Sequence, residues 1–333
     1  MAGDSSVLDH YLAPLRPFLE PAGVTELVVN RAGEFAVEQA GTWRWFQAPG
    51  MTADWLRTLA VAAAAATAQD VGSDTPLCST VLPGGERCQI VLPPAAEQLS
   101  LTLRKASPAA LGLEGLAAGG LFDAVKQATP DLAVDEMALV DLRDQGRWAD
   151  FLKLAVACRR NILISGPTGS GKTTLAKSLA QLIPLEERLI TIEDARELMV
   201  PHRNAVHLLY AKGGQGLAKV GVRDLLESAL RMRPDRILLQ ELRDASAFYF
   251  LRNVNSGHPG SITTIHADSA MLAFEQLTLL VKESEGGRQL AREDIRALLH
   301  LMIDIVVQMR RVGARYQITE VYFEPGRKRA LAA

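Results

Sequence analysis

The stretch "GPTGSGKTT" (166–174) constrains this chain more than any other, because it fits G-x-x-x-x-G-K-[ST] at every position. That pattern works only between a strand and a helix. Both are expected here. "NILIS" (161–165) is an apolar, strand-like run, and "TTLAKSLAQLI" (173–183) is rich in helix formers. The glycines let successive backbone N–H groups turn inward around phosphates, and the helix start adds partial positive charge. The expected cradle is Gly166, Pro167, Thr168, Gly169, Ser170, Gly171, Lys172, Thr173 and Thr174. Lys172 is expected to reach the β- and γ-phosphates of ATP, and Thr173 to offer its hydroxyl to Mg²⁺.

Such a loop needs acids at neighbouring strand ends. "RMRPDRILLQELRD" (231–244) puts Glu241 after three apolar residues and a glutamine, where a carboxylate holds the Mg²⁺ shell or polarises the attacking water. "RLITIEDARELMV" (188–200) ends another apolar run on Glu193 and Asp194. Glu193 is read as the functional acid, whereas Asp194 serves equally well as a helix cap. "GHPGSITTIHADSA" (257–270) carries two histidines eight positions apart. On an extended strand that gap spans on the order of 25 Å, which speaks against a shared zinc ion. No G-x-S-x-G elbow supports a hydrolytic triad. His266 is therefore expected to meet the terminal phosphate from a strand end and to sense its presence.

The 333 residues suggest about two domains. The first third alternates β-branched and aromatic runs with turns: "VTELVVN" (24–30), "EFAVEQ" (34–39), "TWRWFQ" (42–47), a hairpin turning at Gly84-Gly85, and "LSLTLRK" (99–105). We expect an α+β N-terminal domain over 1–105, a Ser/Pro/Ala/Gly-rich linker over 106–134, and an α/β P-loop domain over 135–333. The strands expected in the last are 161–165, 188–194, 205–210, 236–242, 261–267 and 304–309. A 48% hydrophobic fraction and 22% charged fraction are ordinary for a globular protein, and a net charge of -2 gives no strong nucleic-acid signal. Cys78, Cys88 and Cys158 lack paired spacing and read as reduced thiols. The N-terminus reads as no signal peptide, and the apolar run at 59–68 is half the length of a membrane span.

Taken in order, the P-loop, "TIED", "RPDRILLQELRD" and "GHPGSITTIHADS" resemble the motifs of the hexameric ATPases of type II and type IV secretion and of type IV pili. "VTELVVNRAGEFAVEQAGTW" and "GGERCQIVLPP…LSLTLRK" look like the N-terminal domain of type IV secretion traffic ATPases, so the likeness covers nearly the whole chain. It implies a RecA-like P-loop ATPase domain and a homo-hexameric motor that hydrolyses ATP with Mg²⁺. It also implies a cytoplasmic place at the inner face of the bacterial inner membrane. The implied partners are inner-membrane components of the secretion channel and other secretion ATPases. Residue by residue, it assigns Glu193 to the acidic box, Glu241 to the second strand end with Arg243 behind it, and His258 and His266 to the histidine box. Arg87 and Arg104 resemble arginines that contact the phosphates as the domains close. One departure is Gln240, where a glycine is usual. Rival readings are a pilus or type II motor and, from another class, a nucleic-acid translocase. The tetra-cysteine module of the extension and type II motors and the "AIR"-type motif of retraction motors are not found in the sequence.

Overall fold

The computed structural model describes residues 5–106, 112–127, 129–212, 216–244, 246–255 and 257–332. Its first part runs α1 (Ser5–Leu12), α2 (Arg16–Leu19), β1 (Val24–Arg31), β2 (Glu34–Gln39), β3 (Thr42–Gln47), α3 (Ala53–Ala65), β4 (Leu77–Val81), β5 (Arg87–Val91) and β6 (Ser100–Arg104). These strands form one antiparallel sheet ordered β3-β2-β1-β6-β5-β4. The alanine-rich helix starts where Thr52 accepts the Trp55 N–H at 3.2 Å, a side-chain N-cap. Its Leu56, Leu59, Ala60 and Ala63 face Leu27, Ile90, Leu101 and Leu103 of the sheet in one core.

A short helix, α4 (Leu113–Ala118), buries none of its residues. Part of the expected linker, 107–111 and 128, lies outside the described residues. The second part contains α5 (Val134–Asp144), α6 (Trp148–Ala157), β7 (Ile162–Ser165), α7 (Lys172–Ala180), β8 (Leu189–Glu193), β9 (Ala205–Leu209), α8 (Val222–Ala229) and β10 (Arg236–Leu239). It continues with α9 (Ser246–Asn255), β11 (Ile262–Ile265), α10 (Ala270–Glu283), α11 (Arg292–Met302), β12 (Ile305–Val312), β13 (Arg315–Phe323) and α12 (Pro325–Ala332). Two ladders, β10-β8-β9 and β11-β7-β12-β13, are parallel except where β13 turns back on β12. A single parallel bridge, Glu241 to Thr264, joins them, with the Leu242 N–H on the Thr264 carbonyl at 2.8 Å. The combined order is therefore β9-β8-β10-β11-β7-β12-β13.

Helices cover both faces. Ile162, Ile164, Ile305 and Val307 pack against Ala176 and Leu179 of α7. Leu163, Ile265 and Val306 pack against Ala273, Phe274 and Leu277 of α10. Burial from both sides is why the strands read as unbroken apolar runs. The last strand escaped sequence reading because the first six of its nine residues are exposed, so no apolar alternation marks it.

The two parts meet along β9. Ala96 bridges Leu208 in antiparallel fashion, and the Leu209 N–H donates to the Ala95 carbonyl at 2.9 Å. Behind this seam lies Arg188, with no exposed surface. Its guanidinium donates to Asn30 (2.8 Å), Asn204 and Thr102 (3.4 Å) and to the Met232 carbonyl (2.8 Å). Burial pulls its pKa down to about 9. Arg233 adds an ion pair to Glu38, and Gln89 donates to Ser228 at 2.8 Å. Arg188, Arg233 and Gln89 each find partners in the other part, so the seam is specified by hydrogen bonds as well as by apolar packing.

Candidate active site

The P-loop begins where β7 ends, and the backbone there admits only glycine. A Cβ on Gly166 would stand 2.4 Å from the Met309 carbonyl oxygen and 2.6 Å from Ser170 Oγ. Gly171, with φ at 89°, turns the chain into α7. Ser170 Oγ is buried within the loop and has no hydrogen-bond partner. Lys172 opens the helix and is buried; its Nζ donates to the carbonyls of Gly166 (2.7 Å) and Pro167 (3.0 Å). Burial holds its pKa below the ordinary lysine value, partly offset by Glu241.

Ile265 of β11 is level with Ser165 of β7, so His266 emerges at the P-loop end of the sheet. Its Nδ1 lies 3.4 Å from Lys172 Nζ. An ammonium only donates, so Nδ1 accepts and Nε2 carries the ring proton. Nε2 stands 3.0 Å from Glu241 Oε1. The approach is too poorly aligned for a hydrogen bond, and that buried oxygen has no such partner. The other Glu241 oxygen accepts from Arg243, whose pKa rises through this bond. Arg243 also pairs with Asp194 at 3.4 Å, and Lys212 closes on Asp194 at 2.5 Å. Lys172, His266, Glu241, Arg243 and Asp194 thus form one continuous row along the strand ends. Thr173 is half-buried on the first turn of α7. A hydroxyl and an unpartnered carboxylate oxygen are the hard donors Mg²⁺ takes, so Thr173 and Glu241 fit that ion.

Four of the expected side chains, Glu193, His258, Arg87 and Arg104, stand apart from this row. Glu193 is fully buried, and its oxygens accept the N–H groups of Glu197 and Leu198, both at 2.7 Å, and the Thr191 hydroxyl at 2.9 Å. It holds the 194–198 turn, and Asp194 rather than Glu193 joins the row. His258 precedes β11, at the opposite end of the strand from His266, and is hydrogen-bonded to the backbone of Pro234 near Asp235 and Arg233. It does not meet the P-loop of its own chain. Arg87 and Arg104 face each other across β5 and β6 and line a cavity of about 470 Å³ with Gln69, Leu230 and Arg231. No P-loop residue lines that cavity, and Arg104 pairs with Glu26 at 3.4 Å. Among the described residues, Arg87 and Arg104 therefore do not share a cavity with the P-loop of their own chain. Gln240, the departure from glycine, accepts the Asp194 N–H at 3.3 Å and so ties the end of β8 to the end of β10.

A glycine-rich loop on a parallel sheet, a lysine on its helix and a carboxylate two strands away define a P-loop ATPase. The model of the family "Type II/IV secretion system protein" matches residues 13–312. The Type IV secretion system protein VirB11 of Bartonella quintana is 50% identical over 331 residues, covering 96% of this chain and 93% of that protein. Its counterpart in Brucella suis is 44% identical, covering 98% and 92%. The crystal structure of the VirB11 ATPase from the Brucella suis type IV secretion system in complex with sulphate superposes with a TM-score of 0.91 at 43% identity, covering 97% of this chain and 99% of that one. The chain belongs to the type II/IV secretion system protein family, and its full-length relatives place it among the type IV secretion ATPases.

Proposed function

We propose that this chain is a ring-forming motor that hydrolyses Mg²⁺-bound ATP to drive type IV secretion. The row from Lys172 through His266 and Glu241 to Arg243 and Asp194 carries the reading. It spans the strand ends from the P-loop to β8, with each group in contact with the next. Lys172 exchanges the Gly166 and Pro167 carbonyls for phosphate oxygens, which neutralise it better. Glu241 orients water toward the γ-phosphate, and His266 reports on that phosphate to both neighbours. Thr173 and Glu241 would hold Mg²⁺, which when bound would neutralise charge on the phosphates.

The domains divide at 1–105 and 135–333, with 106–134 as the connection. Arg87 and Arg104 are exposed and away from their own P-loop, so in a ring they are offered to the phosphates of a neighbouring copy. Six copies close the ring. No helix among the described residues is long and apolar enough to cross a membrane, which suits a motor docked on the cytoplasmic side of membrane components. Phosphate release from Mg²⁺–ATP, followed together with native mass, tests both halves. A protein that releases no phosphate removes the catalytic half. One that stays monomeric with saturating nucleotide removes the ring.

A further inference from the structure

We propose that Tyr316, on the β12–β13 hairpin, is the stacking platform for the nucleobase; the proposal rests on the nucleotide reading above. The Cβ that Gly171 lacks would lie 3.3 Å from both Cγ and Cδ1 of Tyr316 and 3.5 Å from the Met309 methyl. The ring is therefore seated against the P-loop backbone at the start of α7. Yet it remains 60% exposed, an open aromatic face beside a phosphate cradle.

The hairpin register explains why it points there. Arg311 pairs with Tyr316 and Met309 with Ile318, past an irregularity between Gln308 and Met309. Paired residues share a face, and Met309 packs with Ala176 and Leu179 of α7. Tyr316 and Ile318 thus stand on the α7 side of the sheet, with Ile318 still 37% exposed as an aliphatic shelf.

Strand order fixes the direction of the ligand. Glu241 and His266 lie on the β10–β11 side of the P-loop strand, and β12 and β13 lie on the other. A triphosphate whose terminal phosphate meets Glu241 and His266 runs back across the loop. Its α-phosphate, ribose and base then emerge toward β12 and β13, where Tyr316 waits. Every base has a π-face, so stacking of this kind holds a base without reading its edges. ATP and GTP are expected to bind alike, and both more tightly than tripolyphosphate.

Titration of the full-length protein with ATP, GTP and tripolyphosphate, by calorimetry and by competition, tests this. Tyr316→Ala should weaken ATP and GTP by about tenfold each, the effect of losing one base–aromatic stack. It should leave tripolyphosphate affinity unchanged, raise KM and spare kcat. Tyr316→Phe should behave as wild type. The proposal is overturned if Tyr316→Ala binds ATP normally. It is equally overturned if that variant loses tripolyphosphate in proportion, which would mark a structural prop of the loop. A Tyr316→Phe protein as weak as the alanine variant also overturns it. Wild-type protein that binds neither ATP nor tripolyphosphate would overturn the P-loop reading itself, and this proposal with it.

Discussion

At the scale of single residues, the two charges flanking His266 differ in what they contribute. Lys172→Ala removes the one cation fixed inside the loop and should abolish both turnover and tight ATP binding, read by phosphate release and by nucleotide titration. Glu241→Gln keeps size and one hydrogen-bond acceptor but cannot take a proton. It should hold ATP while turnover falls on the order of 100-fold or more. A Glu241→Gln protein with wild-type turnover would move the water-orienting role to Asp194. The P-loop, Glu241 and His266 were legible in the sequence because each follows a strand-like run, and strand ends collect at one rim of a parallel sheet. His258 misled because spacing along the chain does not say which end of a strand a residue occupies. Asp194 and Glu193 are neighbours with opposite fates. Only the fold shows that Glu193 turns inward, onto the N–H groups of Glu197 and Leu198.

At the scale of elements, that inward carboxylate holds the exit of β8. Glu193→Ala leaves a buried N–H group at Leu198 and a half-buried one at Glu197 without their acceptor, and hydrogen bonds to a charged group are worth about 1.5–3 kcal/mol each. The variant should unfold on the order of 3 kcal/mol more easily in urea. Its nucleotide affinity should change little, since Glu193 faces the turn and not the loop. A variant with wild-type stability but lost turnover would return Glu193 to the catalytic set. The strands of the P-loop sheet were readable from their apolar runs, whereas β13 was not, because Arg315, Tyr316 and Gln317 leave both of its faces open there. An edge strand is held by its ladder with β12 more than by its composition.

At the scale of the whole molecule, the seam between the parts is sensitive to pH. Burial pushes the Glu26 pKa up to about 7, against the pull of Arg104. A carboxyl whose pKa is raised on folding favours the folded state when protonated. Its contribution is therefore fully present below about pH 4.5 and is lost as pH rises toward 7. Glu26→Gln should remove that loss, stabilising the protein above pH 7 on the order of 3 kcal/mol and flattening its stability between pH 4.5 and 7. Thermal melting across that range checks it. If Arg87 and Arg104 serve a neighbouring copy, Arg104→Ala and Lys172→Ala proteins should each be poor ATPases alone. Mixed, they should regain activity, because roughly a quarter of randomly assembled interfaces pair an intact P-loop with an intact arginine. No regain on mixing would confine the arginines to their own chain. The antiparallel bridge from Ala96 to Leu208 has a consequence of a different kind. It caps the rim of the sheet at β9, so the chain carries its own stopper against edge-to-edge growth on that side. A fragment beginning at residue 135 would bare the hydrogen-bonding groups of β9 and Leu208 beside them, and should precipitate or form fibrous aggregates at concentrations where the intact chain stays clear.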